Sequence, residues 1–64
     1  MKRASYRAAI DWVAQNDSGA DDEALNPERV AELVTAVLVA DLFDVPSEKV
    51  GADIVARRRA LGFV

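Results

Sequence analysis

Between Pro27 and Asp44 the chain carries a run whose apolar residues outgrow one face of a helix, and for 64 residues this narrows the folds available. Asn26-Pro27-Glu28 opens the run as a helix start. The asparagine side chain can accept from amides without intrahelical partners, and proline fits the first turn, where it forfeits no needed donor. Val30, Leu33, Val34, Val37 and Leu38 then recur at helical spacing, with Glu28, Arg29 and Glu32 on the polar side. Further along, Val37, Leu38, Val39, Ala40, Leu42 and Phe43 cover nearly the whole circumference at about 100° per residue. A helix of that kind is surrounded by protein. Two other short helices cannot cover it alone, so the sequence predicts a second copy meeting the first through Val37, Val39, Leu42 and Phe43. The β-branched residues of 34–39 would also suit a strand, but the cap and the long periodic run favour a helix.

The flanking segments read as helices too. From about Ser5 to Asn16, Tyr6, Ala9, Ile10 and Val13 form an apolar stripe that Trp12 widens, with Arg7 and Asp11 opposite. Tyr6 and Trp12 are expected in the core, the alternative being an aromatic hot spot at an interface. Asp17-Ser18-Gly19 ends this helix, and residues 17–26 connect it to the next. Asp44-Val45-Pro46-Ser47 is a turn. A third helix begins at Pro46 or Ser47, carries Val50, Ile54, Arg57 and Leu61 on one stripe, and ends near Gly62. The expected fold is therefore all-α: residues 1–64 form a single compact three-helix domain with a central apolar second helix, completed as a homodimer. A chain this short buries only about 60% of the surface its unfolded form exposes, so help from a second subunit is physically reasonable.

The chain contains no cysteine and no histidine. Disulfides, thiolate chemistry, imidazole catalysis and zinc sites with nitrogen or sulfur ligands are thereby excluded. The acidic loop from Asp17 to Glu23 suggests a calcium site, but counting from Asp17 puts Gly19 third and Pro27 and Glu28 eleventh and twelfth, which is not EF-hand spacing. No nucleophile–base pair or glycine-rich phosphate loop can be assembled. The expectation is a protein without enzymatic activity, cofactor or metal. Its longest apolar stretch, Leu33–Phe43, is eleven residues, far short of the roughly 20 that cross a bilayer. Lys2 and Arg3 lead into a helical pattern rather than a signal-peptide core, so a cytoplasmic location is expected.

Charge is strongly partitioned. Residues 11–48 hold ten acidic side chains against the single Arg29, a net −9, while the two ends are each +3. A solvated acidic loop and helix ends accommodate this pattern. So does an acidic surface, Asp21, Asp22, Glu23, Glu28 and Glu32, that meets a basic groove of another protein, such as one that ordinarily holds nucleic acid. Asp41 falls within about 20° of Val30 on the same wheel, where an unpaired carboxylate would be costly, so a structural ion pair is expected with Arg57, or failing that with Arg7 or an arginine of a partner subunit.

The segment Leu38-Val39-Ala40-Asp41-Leu42-Phe43-Asp44-Val45-Pro46-Ser47-Glu48-Lys49-Val50, followed by Ile54, resembles a helix-turn-helix motif. Ala40 supplies the small residue at the crossing, Phe43 and Val45 flank the turn, and Val50 and Ile54 face inward. The chain departs from that pattern at Asp44, where a turn glycine is usual, and in the length of its first helix. The resemblance implies DNA binding through Lys49, Arg57, Arg58 and Arg59, although the outward Ser47, Glu48, Gly51 and Ala52 offer few donors to bases or phosphates. A second resemblance spans nearly the whole chain. Ser5-Tyr6-Arg7-Ala8-Ala9-Ile10-Asp11-Trp12, Ala14-Gln15-Asn16-Asp17 and Leu38-Val39-Ala40-Asp41-Leu42-Phe43, with Val50 and Arg57-Arg58, look like small uncharacterised proteins carried on proteobacterial phages and plasmids. It implies an accessory role such as countering host defence, as anti-CRISPR proteins do. Two functions follow as expectations: a protein-interaction module acting through its acidic surface, or a compact DNA-binding regulator.

Overall fold

A computed structural model describes residues 5–16 and 24–62. Among these the chain is all-helical: α1 spans Tyr6–Asn16, α2 Pro27–Ala31, α3 Val34–Phe43 and α4 Ser47–Ala60. Asp21, Asp22, Glu23 and the rest of the acidic loop from Asp17 lie outside the described residues. α4 is the hub, touching each of the other three helices.

The boundaries follow local chemistry. Asn26 caps α2, its Oδ1 accepting from the amides of Glu28 (3.1 Å) and Arg29 (3.4 Å), with Pro27 in the first turn. α3 ends on Asp44, whose φ of 56° is left-handed. The Val45 amide bonds back to the Ala40 carbonyl (3.0 Å), closing the helix as a glycine would but with an aspartate, one of the few other residues that enter this conformation readily. Gly62, with φ 93°, follows the end of α4.

The long second helix expected from the sequence is two helices, so the domain has four among its described residues rather than three. Leu33 is extended (φ −68°, ψ 147°) and breaks the run. Packing explains the break. α2 buries Val30 and Ala31, whereas α3 buries Ala36, Val39 and Ala40. On one straight helix these two sets would lie about 180° apart at about 100° per residue, and one core could not receive both. Breaking the helix at Leu33 turns each set inward separately.

α2 lies directly on α4 because Gly51 has no side chain. A Cβ built there would stand 2.5 Å from the Pro27 carbonyl oxygen and 2.8 Å from the Ala31 Cβ. The main core joins Ile10, Val13 and Ala14 of α1 to Val30, to Ala36, Val39 and Ala40 of α3, and to Val50, Ile54 and Val55 of α4. The largest wholly buried side chain is Arg58, at 0% exposure. Its Nε donates to the Ala14 carbonyl (3.2 Å), Nη1 to Ala24 (2.8 Å) and Nη2 to Val13 (3.5 Å). Two of these acceptors belong to the last turn of α1, whose carbonyls have no intrahelical donors and whose dipole favours a cation.

Removing the guanidinium strands those acceptors in the core. Arg58→Met should cost roughly 3 kcal/mol or more, and Arg58→Lys should recover only part, because an ammonium cannot span the three carbonyls as a planar fork does; chemical denaturation measures both. Gly51→Ala should destabilise by roughly 2 kcal/mol, since overpacking against backbone costs about 3 kcal/mol and alanine otherwise gains only ~1 kcal/mol inside a helix. Thermal melts followed by circular dichroism would read this as a lowered midpoint.

Candidate functional site

Three surface regions bring the polar and apolar side chains singled out in the sequence into definite relationships. The first is a concave depression of about 380 Å³ where the start of α4 meets α2. Glu28, Glu32 and Glu48 rim it, with Pro27, Ala31 and Ser47 as its floor and wall. All three glutamates are exposed. Arg29 pairs with Glu32 at 3.7 Å, an exposed contact that leaves the rim predominantly negative. Glu28 and Glu32 were legible as acidic surface residues. Glu48 was legible as outward but not as their neighbour, because its proximity to α2 arises from the Gly51 contact.

The second region is a polar seam between α1 and α4. Arg57 donates from Nε to Asp11 Oδ1 at 2.5 Å. This corrects the expected Asp41–Arg57 pair: Asp41 is exposed on α3, because the break at Leu33 rotates that helix so that the stripe containing Asp41 faces outward. The Arg57 hydrogen bond holds the Asp11 carboxyl below its ordinary range, against the opposing effect of burial, and Gln15 Nε2 adds a bond of 2.8 Å. A turn and a half away on α1, the Tyr6 hydroxyl donates to Asp53 Oδ2 (2.6 Å), which also accepts from Lys49 Nζ (2.7 Å). Lys49 Nζ stands 5.1 Å from the Tyr6 ring centre, and Phe43 meets that ring edge-on at 5.6 Å. Burial disfavours the Asp53 anion, but the Lys49 and Tyr6 donors together outweigh it and hold its carboxyl low. Of the basic residues put forward for DNA, Lys49 and Arg57 are thus engaged in this seam, Arg58 is in the core, and Arg59 is exposed. Gly51, expected to face outward, is buried under α2.

The third region is apolar. Val34, Leu38 and Leu42 are 74%, 61% and 75% exposed, with Val37 at 49% on their flank. Trp12, expected in the core, is 60% exposed on α1. Beside it runs a groove of about 460 Å³ between α1 and α3, lined by Ala8, Ala9, Trp12, Thr35, Leu38 and the edge of Val39. Of the four residues expected at a subunit interface, Val37 and Leu42 face solvent. Val39 is buried and Phe43 half-buried against Tyr6, for the same reason that Asp41 is exposed. Among the described residues no group of three or more carboxylates is arranged to hold a metal ion, and no helix is long and apolar enough to cross a membrane.

Tyr6 is the only tyrosine and reports on the seam directly. Burial, and then its hydrogen bond to the Asp53 carboxylate, push the phenol above its ordinary value of 10.0. A pKa raised on folding stabilises the protein below the unfolded value, and that contribution is lost as pH rises through the folded value. An ultraviolet titration of the folded protein should therefore show no phenolate forming near pH 10, and Asp53→Asn should bring ionisation part of the way back. Asp11 and Asp53 act with the opposite sign: their contribution is present above the ordinary carboxylate range and is lost as pH falls through their lowered values.

No protein-family model matches the chain, and no curated protein or solved structure matches it either.

Proposed function

We propose that the chain is a non-enzymatic protein-interaction module that offers Glu28, Glu32 and Glu48 to a basic surface of another protein. The observation carrying this reading is the convergence of three exposed carboxylates from two separate segments on one concave depression. Like charges around a concavity reinforce one another's potential and draw in a cationic partner, setting orientation and association rate more than raw affinity. Asp21, Asp22 and Glu23 contribute further negative charge to this reading. The resemblance to phage- and plasmid-borne proteins suggests the class of partner: a host defence complex in the cytoplasm whose basic groove ordinarily holds nucleic acid, which the acidic module would inhibit.

The arrangement α3–turn–α4 favours a second reading, a helix-turn-helix regulator, since Ala40, Val50 and Ile54 are buried and Phe43 and Val45 pack at the edge of the core. Electrostatics weigh against it. In such motifs the start of the second helix enters the major groove, and here that end carries Glu48 beside Glu28 and Glu32. Phosphate binding needs available cations, yet Arg58 is buried and Lys49 and Arg57 are drawn to Asp53 and Asp11.

The two readings separate in one NMR experiment on the labelled protein. Titration with an arginine-rich peptide should shift the amides of 28–32 and 47–49, with affinity that falls as salt rises, while duplex DNA leaves them unmoved. Glu28→Lys/Glu32→Lys/Glu48→Lys should abolish the peptide response. Shifts in α4 on adding DNA, with none from the peptide, would overturn the proposal in favour of the regulator.

A further inference from the structure

We infer that the apolar face of α3 and α1 is the seat of a second copy of this chain, related by a two-fold axis passing near Leu38. This surface is separate from the acidic depression and does not depend on the reading given for it.

The face is among the most apolar stretches of the described surface. Val34, Leu38, Leu42 and Trp12 are each more than half exposed, and Val37 is 49% exposed. At these exposures the five residues together present on the order of 600 Å² of surface, at the upper end of the largest patch on a typical monomer. Two such patches would bury about 1,200 Å², the lower limit of a standard specific interface.

Its shape identifies the occupant. Val34, Leu38 and Leu42 are spaced four apart, so they form one straight ridge along α3. The groove bounded by Trp12, Thr35 and Leu38 runs alongside that ridge. A patch that holds a ridge and an adjacent groove is complementary to itself: a two-fold rotation lays each chain's ridge into the other's groove, which is what an isologous interface requires. Helices meeting through rows of this spacing cross at about −50°, with Leu38 at the crossing and Trp12 of each chain closing over the other's Leu42.

Charge agrees. Asp41 is the only charged residue among the ten of α3, and it lies beside the ridge rather than on it. The face therefore carries one exposed carboxylate per copy amid large apolar side chains, so pairing rests on apolar burial, with the two Asp41 carboxylates kept in water at the rim, where their repulsion is small. A self-pairing surface also explains how a domain with so small a core leaves these five large apolar side chains exposed: association shifts the folding equilibrium toward the native state by mass action.

Sedimentation velocity on the full chain across micromolar concentrations should show a monomer–dimer equilibrium. Leu38→Asp, whose charge faces its own copy across the axis, should weaken the dimer roughly a hundredfold or more, about 2.7 kcal/mol at 1.36 kcal/mol per decade. Because Leu38 is exposed in the single chain, the variant should keep its helical circular dichroism, which distinguishes loss of pairing from loss of folding. In a mixture of isotope-labelled and unlabelled chains, NOEs between chains should connect the Trp12 indole with the methyls of Leu38 and Leu42. A monomer at every concentration, a dimer indifferent to Leu38→Asp, or inter-chain NOEs arising elsewhere would each overturn the inference.

Discussion

The fold is assembled around a buried guanidinium. Arg58 reaches from α4 to the carbonyls of Val13 and Ala14 at the end of α1 and to that of Ala24 before α2, so one side chain joins both edges of the acidic connection to the hub helix. A hydrophobic residue of the same volume could fill the space but could not donate to three carbonyls, two of them in buried bonds. In a domain with so few large apolar core residues, this polar anchor does what a second layer of leucines does in larger proteins. It also withdraws a cation from the surface, and so bears on what that surface can bind.

The second constraint is the close seat of α2 on Gly51. It fixes α2 against α4 and, with the break at Leu33, sends α3 off on its own rotation. The consequences reach both candidate surfaces. Bringing α2 onto the start of α4 gathers Glu28, Glu32 and Glu48 around one depression. Rotating α3 buries Ala36, Val39 and Ala40 and leaves Val34, Leu38 and Leu42 outside. Small residues inward allow helix axes to approach closely, which a short chain needs, while the displaced apolar area becomes available for association.

Charge follows the same logic. Three of the four basic residues of α4 are drawn to Asp53, to Asp11 and to the end of α1, whereas Arg59 and the carboxylates of α2 and the first turn of α4 stay in water. Among the described residues the carboxylates of Glu28, Glu32, Asp41, Asp44 and Glu48 are therefore exposed, while the positive charge of Arg58 is spent inside. That asymmetry supports recognition of a basic partner more than recognition of phosphate.

Local chemistry could be read from the chain directly: the asparagine–proline start of α2, the extent of α1, the turn at Asp44–Pro46, and the inward Val50 and Ile54 of α4 depend on residues within a few positions of one another. Periodicity misled where two short helices share one continuous pattern. Val30 through Leu38 match a single stripe only if the helix runs straight, and nothing nearby in the sequence reveals that Leu33 is extended. Asp41 and Trp12 were assigned inward, and Arg57 was given the wrong carboxylate, because a wheel records angles within an element and says nothing of the neighbour it meets. Arg58 did leave a signal, standing four residues after Ile54 and eight after Val50 on the buried line of α4. Helical class, caps and net charge were thus determined by sequence alone, since they depend on near neighbours and on totals. Which face of each helix is buried, which carboxylate an arginine finds and which apolar residues stay in water were decided only by the tertiary structure, because packing four short rods around one glycine and one arginine sets their rotations jointly.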